Sequence, residues 1–110
     1  MNSNKSGTLT MCRKAGKLVM GMDMVKQSCN EGKARAVFTA SDISEKSLKE
    51  ARFVCAKNDV ALYRLDMTMD EIWYGLGKKI GVMAMTDAGF AKSCAKGLEQ
   101  ISADKSEFDL

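Results

Sequence analysis

The chain has 110 residues, 45% of them hydrophobic and 28% charged, which suits one globular domain with its own core and is too short for two. It contains no histidine, and this excludes Ser-His-Asp and Cys-His catalysis, histidine general bases and histidine metal ligands. The formal charge of +3 is uneven: residues 99 to 110 carry Glu99, Asp104, Glu107 and Asp109 against Lys105, a net −3, so the preceding body is +6 and favours polyanionic partners.

Residues 6 to 15 have Leu9 and Cys12 on one helical face, with Gly16 as the stop, before the extended piece Lys17-Leu18-Val19-Met20. From Met22 to about Glu31, the residues Met22, Val25 and Cys29 recur at helical spacing and Gly32 ends the pattern. Ala36-Val37-Phe38-Thr39-Ala40 is a continuous apolar run, as expected of a central strand covered on both faces. Ser41 to Ser44 caps a helix running to about Lys57, with Leu48, Ala51 and Cys55 inward. Val60-Ala61-Leu62-Tyr63 reads as the next strand.

Thr68-Met69-Asp70-Glu71 matches a capping box, and the helix behind it carries Met69, Ile72, Trp73 and Leu76 on one stripe. Gly81 to Thr86 is a further buried strand. Asp87 opens a last helix in which Ala91, Cys94, Ala95, Leu98 and Ile101 keep helical spacing. The alternation predicts an α/β fold, a three-layer α/β/α sandwich of five helices around about four strands, mostly parallel or mixed. One domain spans residues 1 to 101, and 102 to 110 form an acidic, frayed tail.

Cys12, Cys29, Cys55 and Cys94 have no C-x-x-C spacing, which predicts free, buried thiols and no metal site. Met1 to Thr10 is polar, and no run approaches the ~20 apolar residues that span a bilayer, so a cytoplasmic protein is expected. In a parallel sheet, ligands sit beyond the carboxyl ends of strands. This singles out Gly21-Met22-Asp23, Ala40-Ser41-Asp42, Leu65 to Thr68 and Thr86 to Gly89, with Gly77-Lys78-Lys79-Ile80-Gly81 as a fifth candidate. No phosphate-loop or dinucleotide motif is present, since Gly75-Leu76-Gly77 follows a helix and lacks a third glycine. Lys78 and Lys79 stand between glycines that let the backbone approach a ligand, and Arg13, Lys14 and Lys17 form a second basic cluster.

Met11 to Gly21, Gly32 to Val37 with Ala40-Ser41-Asp42, and Gly77 to Lys79 with Thr86 to Lys92 resemble the YlxQ-like branch of the ribosomal kink-turn-binding protein family. The resemblance covers nearly all of residues 7 to 98. It implies a non-catalytic, monomeric RNA-binding domain on ribosomal or other kink-turn-like RNA, with no cofactor, membrane contact or small-molecule substrate. The family motif Gly-x-Asn-Glu-x-x-Lys, which reads sheared G·A pairs, stands here as Gly21-Met22-Asp23-Met24-Val25-Lys26-Gln27. Asp23 replaces an amide, Met24 a carboxylate and Gln27 a cation, which shifts the expectation towards recognition of RNA shape and phosphates. The family's Leu-Gly pair is replaced by Ile72-Trp73, which reads as core. The implied RNA-binding residues are Arg13, Lys14, Lys17, Gly21, Met22, Asp23, Lys26, Gln27, Ser41, Asp42, Lys78, Lys79 and Ile80. The alternative is a protein-interaction module on the same fold that has lost kink-turn recognition.

Overall fold

The apolar run at Ala36–Thr39 forms a strand buried at every position, because Ala36 and Phe38 turn to one helical layer and Val37 to the other. The computed structural model describes residues 5–101 and 105–110. In chain order these contain α1 (Lys5–Lys14), β1 (Leu18–Met20), α2 (Met22–Asn30), β2 (Ala36–Thr39), α3 (Glu45–Asn58), β3 (Ala61–Arg64), α4 (Met69–Leu76), β4 (Val82–Met85), α5 (Ala88–Ala95), β5 (Glu99–Gln100) and a short 3-10 turn, Lys105–Phe108.

Helices α1, α4 and α5 cover one face of the sheet, with Leu9, Cys12, Ile72, Leu76, Ala91 and Cys94 packed on Phe38, Met83 and Met85. The other face is covered by α2 and α3, through Val25, Cys29, Ala51, Val54 and Cys55 against Val37, Leu62, Val82 and Ala84. The fold is therefore the three-layer α/β/α sandwich that the alternating elements predict.

The sheet is mixed, as the expectation of about four mostly parallel or mixed strands allows, and it has one strand more. The sheet has five strands in the order β1-β4-β2-β3-β5. Among the described residues only β2 and β3 pair in parallel, through the α3 crossover, while β1 with β4, β2 with β4 and β3 with β5 are antiparallel. A strand covered on both faces reads as a continuous apolar run in either direction, so its composition carries no direction signal.

Local chemistry fixes the helix starts. Thr68 Oγ1 accepts from the Glu71 N–H at 3.2 Å and the Glu71 carboxylate accepts from the Thr68 N–H at 2.8 Å, completing the capping box. Ser44 and Asp87 cap α3 and α5 by accepting from Ser47 N–H and Phe90 N–H.

Three expectations fail. The last helix ends at Ala95, and Gly97 at φ +80° turns the chain so that Glu99–Gln100 becomes an edge strand on β3. Leu98 and Ile101 still reach the core, each on a different side of the sheet, which is why their spacing mimicked a longer helix. Trp73 is 55% exposed, because Ile72 and Leu76 take the inward stripe of α4. Where a frayed tail was expected, Lys105–Phe108 packs on α3: Glu107 pairs with Arg52, Phe108 meets Phe53 edge-on at 5.6 Å, and Lys105 Nζ lies 2.7 Å from Asp59. Residues 102 to 104 of that tail lie outside the described residues.

All four cysteines are free and buried, as their spacing predicts. Burial pushes the Cys12 thiol up to about 11 and the Cys94 thiol up to about 12, while the hydrogen bond to Cys29, with burial, pushes Cys55 up. A raised thiol pKa adds stability below the ordinary value near 9, and that contribution is lost as the pH climbs through the folded values. The urea midpoint is expected to fall between pH 8.5 and about 11, and iodoacetamide at pH 8 is expected to label the native protein far more slowly than the urea-unfolded chain. A native thiol reacting as fast as free cysteine would contradict this packing.

Candidate nucleic-acid interface

β1, β2 and β3 run in one direction and β4 in the other, so the carboxyl ends of β1 and β2 and the start of β4 share one end of the sheet. Backbone hydrogen bonds stitch them together there. Gly21 N–H donates to Val82 O at 3.0 Å and Ala40 N–H to Gly81 O at 2.9 Å. At this end lies a cavity of about 360 Å³ lined by Gly21, Met22, Ile43, Ser44, Ser47, Met69, Lys79, Ile80, Gly81 and Val82.

Each wall has a local cause. Gly21 precedes α2 at φ 95° and ψ 150°, a conformation open only to glycine, and no side chain among the described residues caps the helix it opens. The first-turn N–H groups of α2 therefore depend on solvent or a ligand. Asp42 Oδ1 accepts from Met69 N–H at 2.8 Å, which pins the start of α4 to the loop after β2 and brings Met69 into the cavity. Gly77, left-handed at φ 74°, ends α4 and releases Lys78 to Gly81 back towards β4. A Cβ on Gly81 would meet Ile43 Cγ1 at 3.4 Å, so the loop and the β2–α3 turn are in close contact.

Gly21, Met22, Lys79 and Ile80, expected at the site from sequence, all line this cavity. Asp23 is exposed on the first turn of α2 beside it. Ser41 and Asp42 stand one loop away in structural roles: Ser41 N–H donates to Met67 O at 2.8 Å and Asp42 holds α4. Lys78 is exposed in the same loop as Lys79. Arg13 donates to Leu76 O at the carboxyl end of α4, where a cation meets the negative end of the helix.

The remaining candidates point elsewhere. Lys26 Nζ pairs with Glu50 at 2.7 Å and depresses its carboxyl below the usual range, and Gln27 donates to Glu31 at 3.1 Å, away from the helix start. Lys17 sits at the opposite end of β1, its carbonyl accepting from Thr86 N–H, and Lys14 is exposed on the last turn of α1. Thr86 to Gly89 falls at the far end of the sheet, because β4 runs antiparallel to β2. Sequence reasoning missed Ile43, Ser44, Ser47 and Met69, although the caps at Ser44 and Thr68 place both helix starts beside the loop ends.

A larger cavity of about 710 Å³ lies at that far end, between α5 and the starts of β2 and β3, with Arg35, Lys92 and Lys96 around alanine walls. Ala88, from the candidate segment Thr86 to Gly89, lines it, whereas none of the thirteen residues implied to bind RNA does.

The model of the Ribosomal protein L7Ae/L30e/S12e/Gadd45 family matches residues 4–95. The "RNA-binding protein YlxQ" of Enterococcus faecium is 30% identical over 89 residues, covering 81% of this chain and 85% of that protein. A solved structure of a protein of unknown function from Bacillus halodurans C superposes with a TM-score of 0.78 at 20% identity, covering 86% of this chain and 95% of that one. At that identity the likeness speaks for the fold alone.

Gly21 and Gly7 both have open space where a Cβ would go, but only Gly21 has a positive φ. Gly21→Ala is expected to cost about 1–3 kcal/mol in urea unfolding from backbone strain, whereas Gly7→Ala within α1 is expected to be stabilising by up to about 1 kcal/mol. Equal stability of Gly21→Ala and the wild type would contradict the geometry at the start of α2.

Proposed function

Since the chain belongs to the Ribosomal protein L7Ae/L30e/S12e/Gadd45 family, we propose that it is a non-catalytic, cytoplasmic and ribosome-associated RNA-binding protein, taking structured, kink-turn-like RNA at the cavity beside Gly21. The observation that carries this reading is the convergence of Gly21-Met22, Ile43-Ser44 and Lys79-Ile80 on one cavity of about 360 Å³. These three segments offer different chemistry to one ligand.

The uncapped start of α2 supplies N–H groups and the positive end of a helix dipole, both suited to a phosphate. Lys79 adds an ammonium at the cavity rim, with Lys78 exposed one residue before it. Met22, Ile43, Met69 and Ile80 supply apolar surface for a base turned out of a kinked duplex, which is how RNA bases become readable to proteins. Asp23 can only accept hydrogen bonds, and Lys26 and Gln27 are engaged within the protein, so discrimination of G·A pairs is weak and phosphate geometry carries the affinity.

Fluorescence anisotropy of a labelled kink-turn RNA, beside the same RNA with its G·A pairs replaced, tests the reading across a salt series. Binding is expected to be steeply salt-dependent, and Lys78→Ala with Lys79→Ala is expected to weaken it and lower the salt slope by about 1.5 to 2. An unchanged slope would remove those lysines from the interface. Absence of binding at low salt would favour the protein-interaction module instead.

A further inference from the structure

Helix α4 carries an aromatic pair that the fold does not use. Trp73 is 55% exposed and Tyr74 is 95% exposed, on an eight-residue helix whose inward residues are Ile72 and Leu76. Leaving two large rings in water forfeits the burial that makes aromatic residues stabilising, so their placement calls for a ligand.

The surroundings say which ligand. Met69 lines the cavity beside Gly21, and Trp73 lies four residues further along α4, on the same face and one turn away. The patch is thus continuous with the proposed RNA site. Cations flank it on two sides: Lys79 Nζ lies 3.8 Å from Asp70, one turn before Trp73 and Tyr74, and Arg13 is bound to Leu76 O at the helix end. Lys78 is exposed just beyond the helix. Of the nearby carboxylates, Asp70 faces Lys79 and Glu71 is engaged in the capping box, while Asp66 is exposed before the helix.

We propose that Trp73 and Tyr74 form a stacking platform for unpaired nucleobases of the bound RNA, extending the cavity beside Gly21 along α4. Rings stack on any base through its π-face, and neighbouring cations hold the connecting phosphates, so such a platform adds affinity without demanding a sequence. Consecutive helical residues point about 100° apart, so the two rings receive different bases. The inference rests on the RNA-binding reading above and adds a second contact area to it.

Trp73 is the only tryptophan of the chain, so its emission reports directly on the patch. The test titrates the 110-residue chain with a kink-turn hairpin RNA bearing a short unpaired adenosine extension and with its blunt-ended counterpart. The extension is expected to tighten binding by roughly 5- to 100-fold and to quench Trp73 emission. Trp73→Leu and Tyr74→Ala are each expected to remove part of that gain, while Trp73→Phe and Tyr74→Phe retain it. Both substituted positions are solvent-facing, so the variants are expected to unfold at the wild-type urea midpoint.

Equal binding of the two RNAs with unchanged Trp73 emission would overturn the platform and leave RNA binding at the cavity standing. Equal gains in the wild type and both stacking-deficient variants would overturn it as well. Failure of both RNAs to bind at low salt would overturn both readings. A blue shift of Trp73 emission on self-association, without RNA, would assign the patch to a second copy of the chain and overturn the platform.

Discussion

The antiparallel setting of β4 between β1 and β2 is the constraint on which the candidate site depends. β4 starts at Val82, opposite Thr39 at the end of β2 and next to Met20 at the end of β1, so the loop that feeds it arrives where the other two strands leave. The hydrogen bonds from Gly21 to Val82 O and from Ala40 to Gly81 O hold the three crossings in register. In a parallel β4 the Lys78–Gly81 loop would enter at the other end of the sheet, far from Gly21. The register itself is secured from both faces: a slip of one residue would exchange Met83 and Met85 with Val82 and Ala84 and place each set against the wrong helical layer.

Short-range chemistry made much of this fold legible. The capping box at Thr68, the caps at Ser44 and Asp87, and the two-sided burial of Ala36 to Ala40 all involve contacts within a few residues or a composition forced by burial. What escaped were properties decided between elements. Strand direction leaves no mark in an apolar run buried on both faces. β5 is two exposed polar residues, recognisable only through its pairing with β3. Trp73 looked like core by residue type, yet at the contact with the sheet Ile72 and Leu76 already fill the stripe, and the ring turns outward.

The site divides along the same line. Gly21, Met22, Lys79 and Ile80 could be placed because the resemblance and the glycine signals concern loop ends, and loop ends are where the sheet gathers them. Lys26, Gln27 and Lys17 are polar residues of the right kind at neighbouring sequence positions, but the Lys26 side chain pairs with Glu50 on α3, that of Gln27 with Glu31 four residues on, and the backbone of Lys17 is tied to Thr86 at the far sheet end. Ile43 and Met69 are ordinary apolar residues in sequence. They acquire a role only because Asp42 ties the start of α4 to the loop after β2.

The most direct measurement of the central claim is amide chemical-shift mapping of the labelled protein during titration with a kinked RNA. The account places the largest changes at Gly21 to Asp23, Ile43 to Ser47 and Lys78 to Val82, around the cavity of about 360 Å³. Changes centred instead on Arg35, Lys92 and Lys96, at the larger cavity on the opposite end of the sheet, would contradict it.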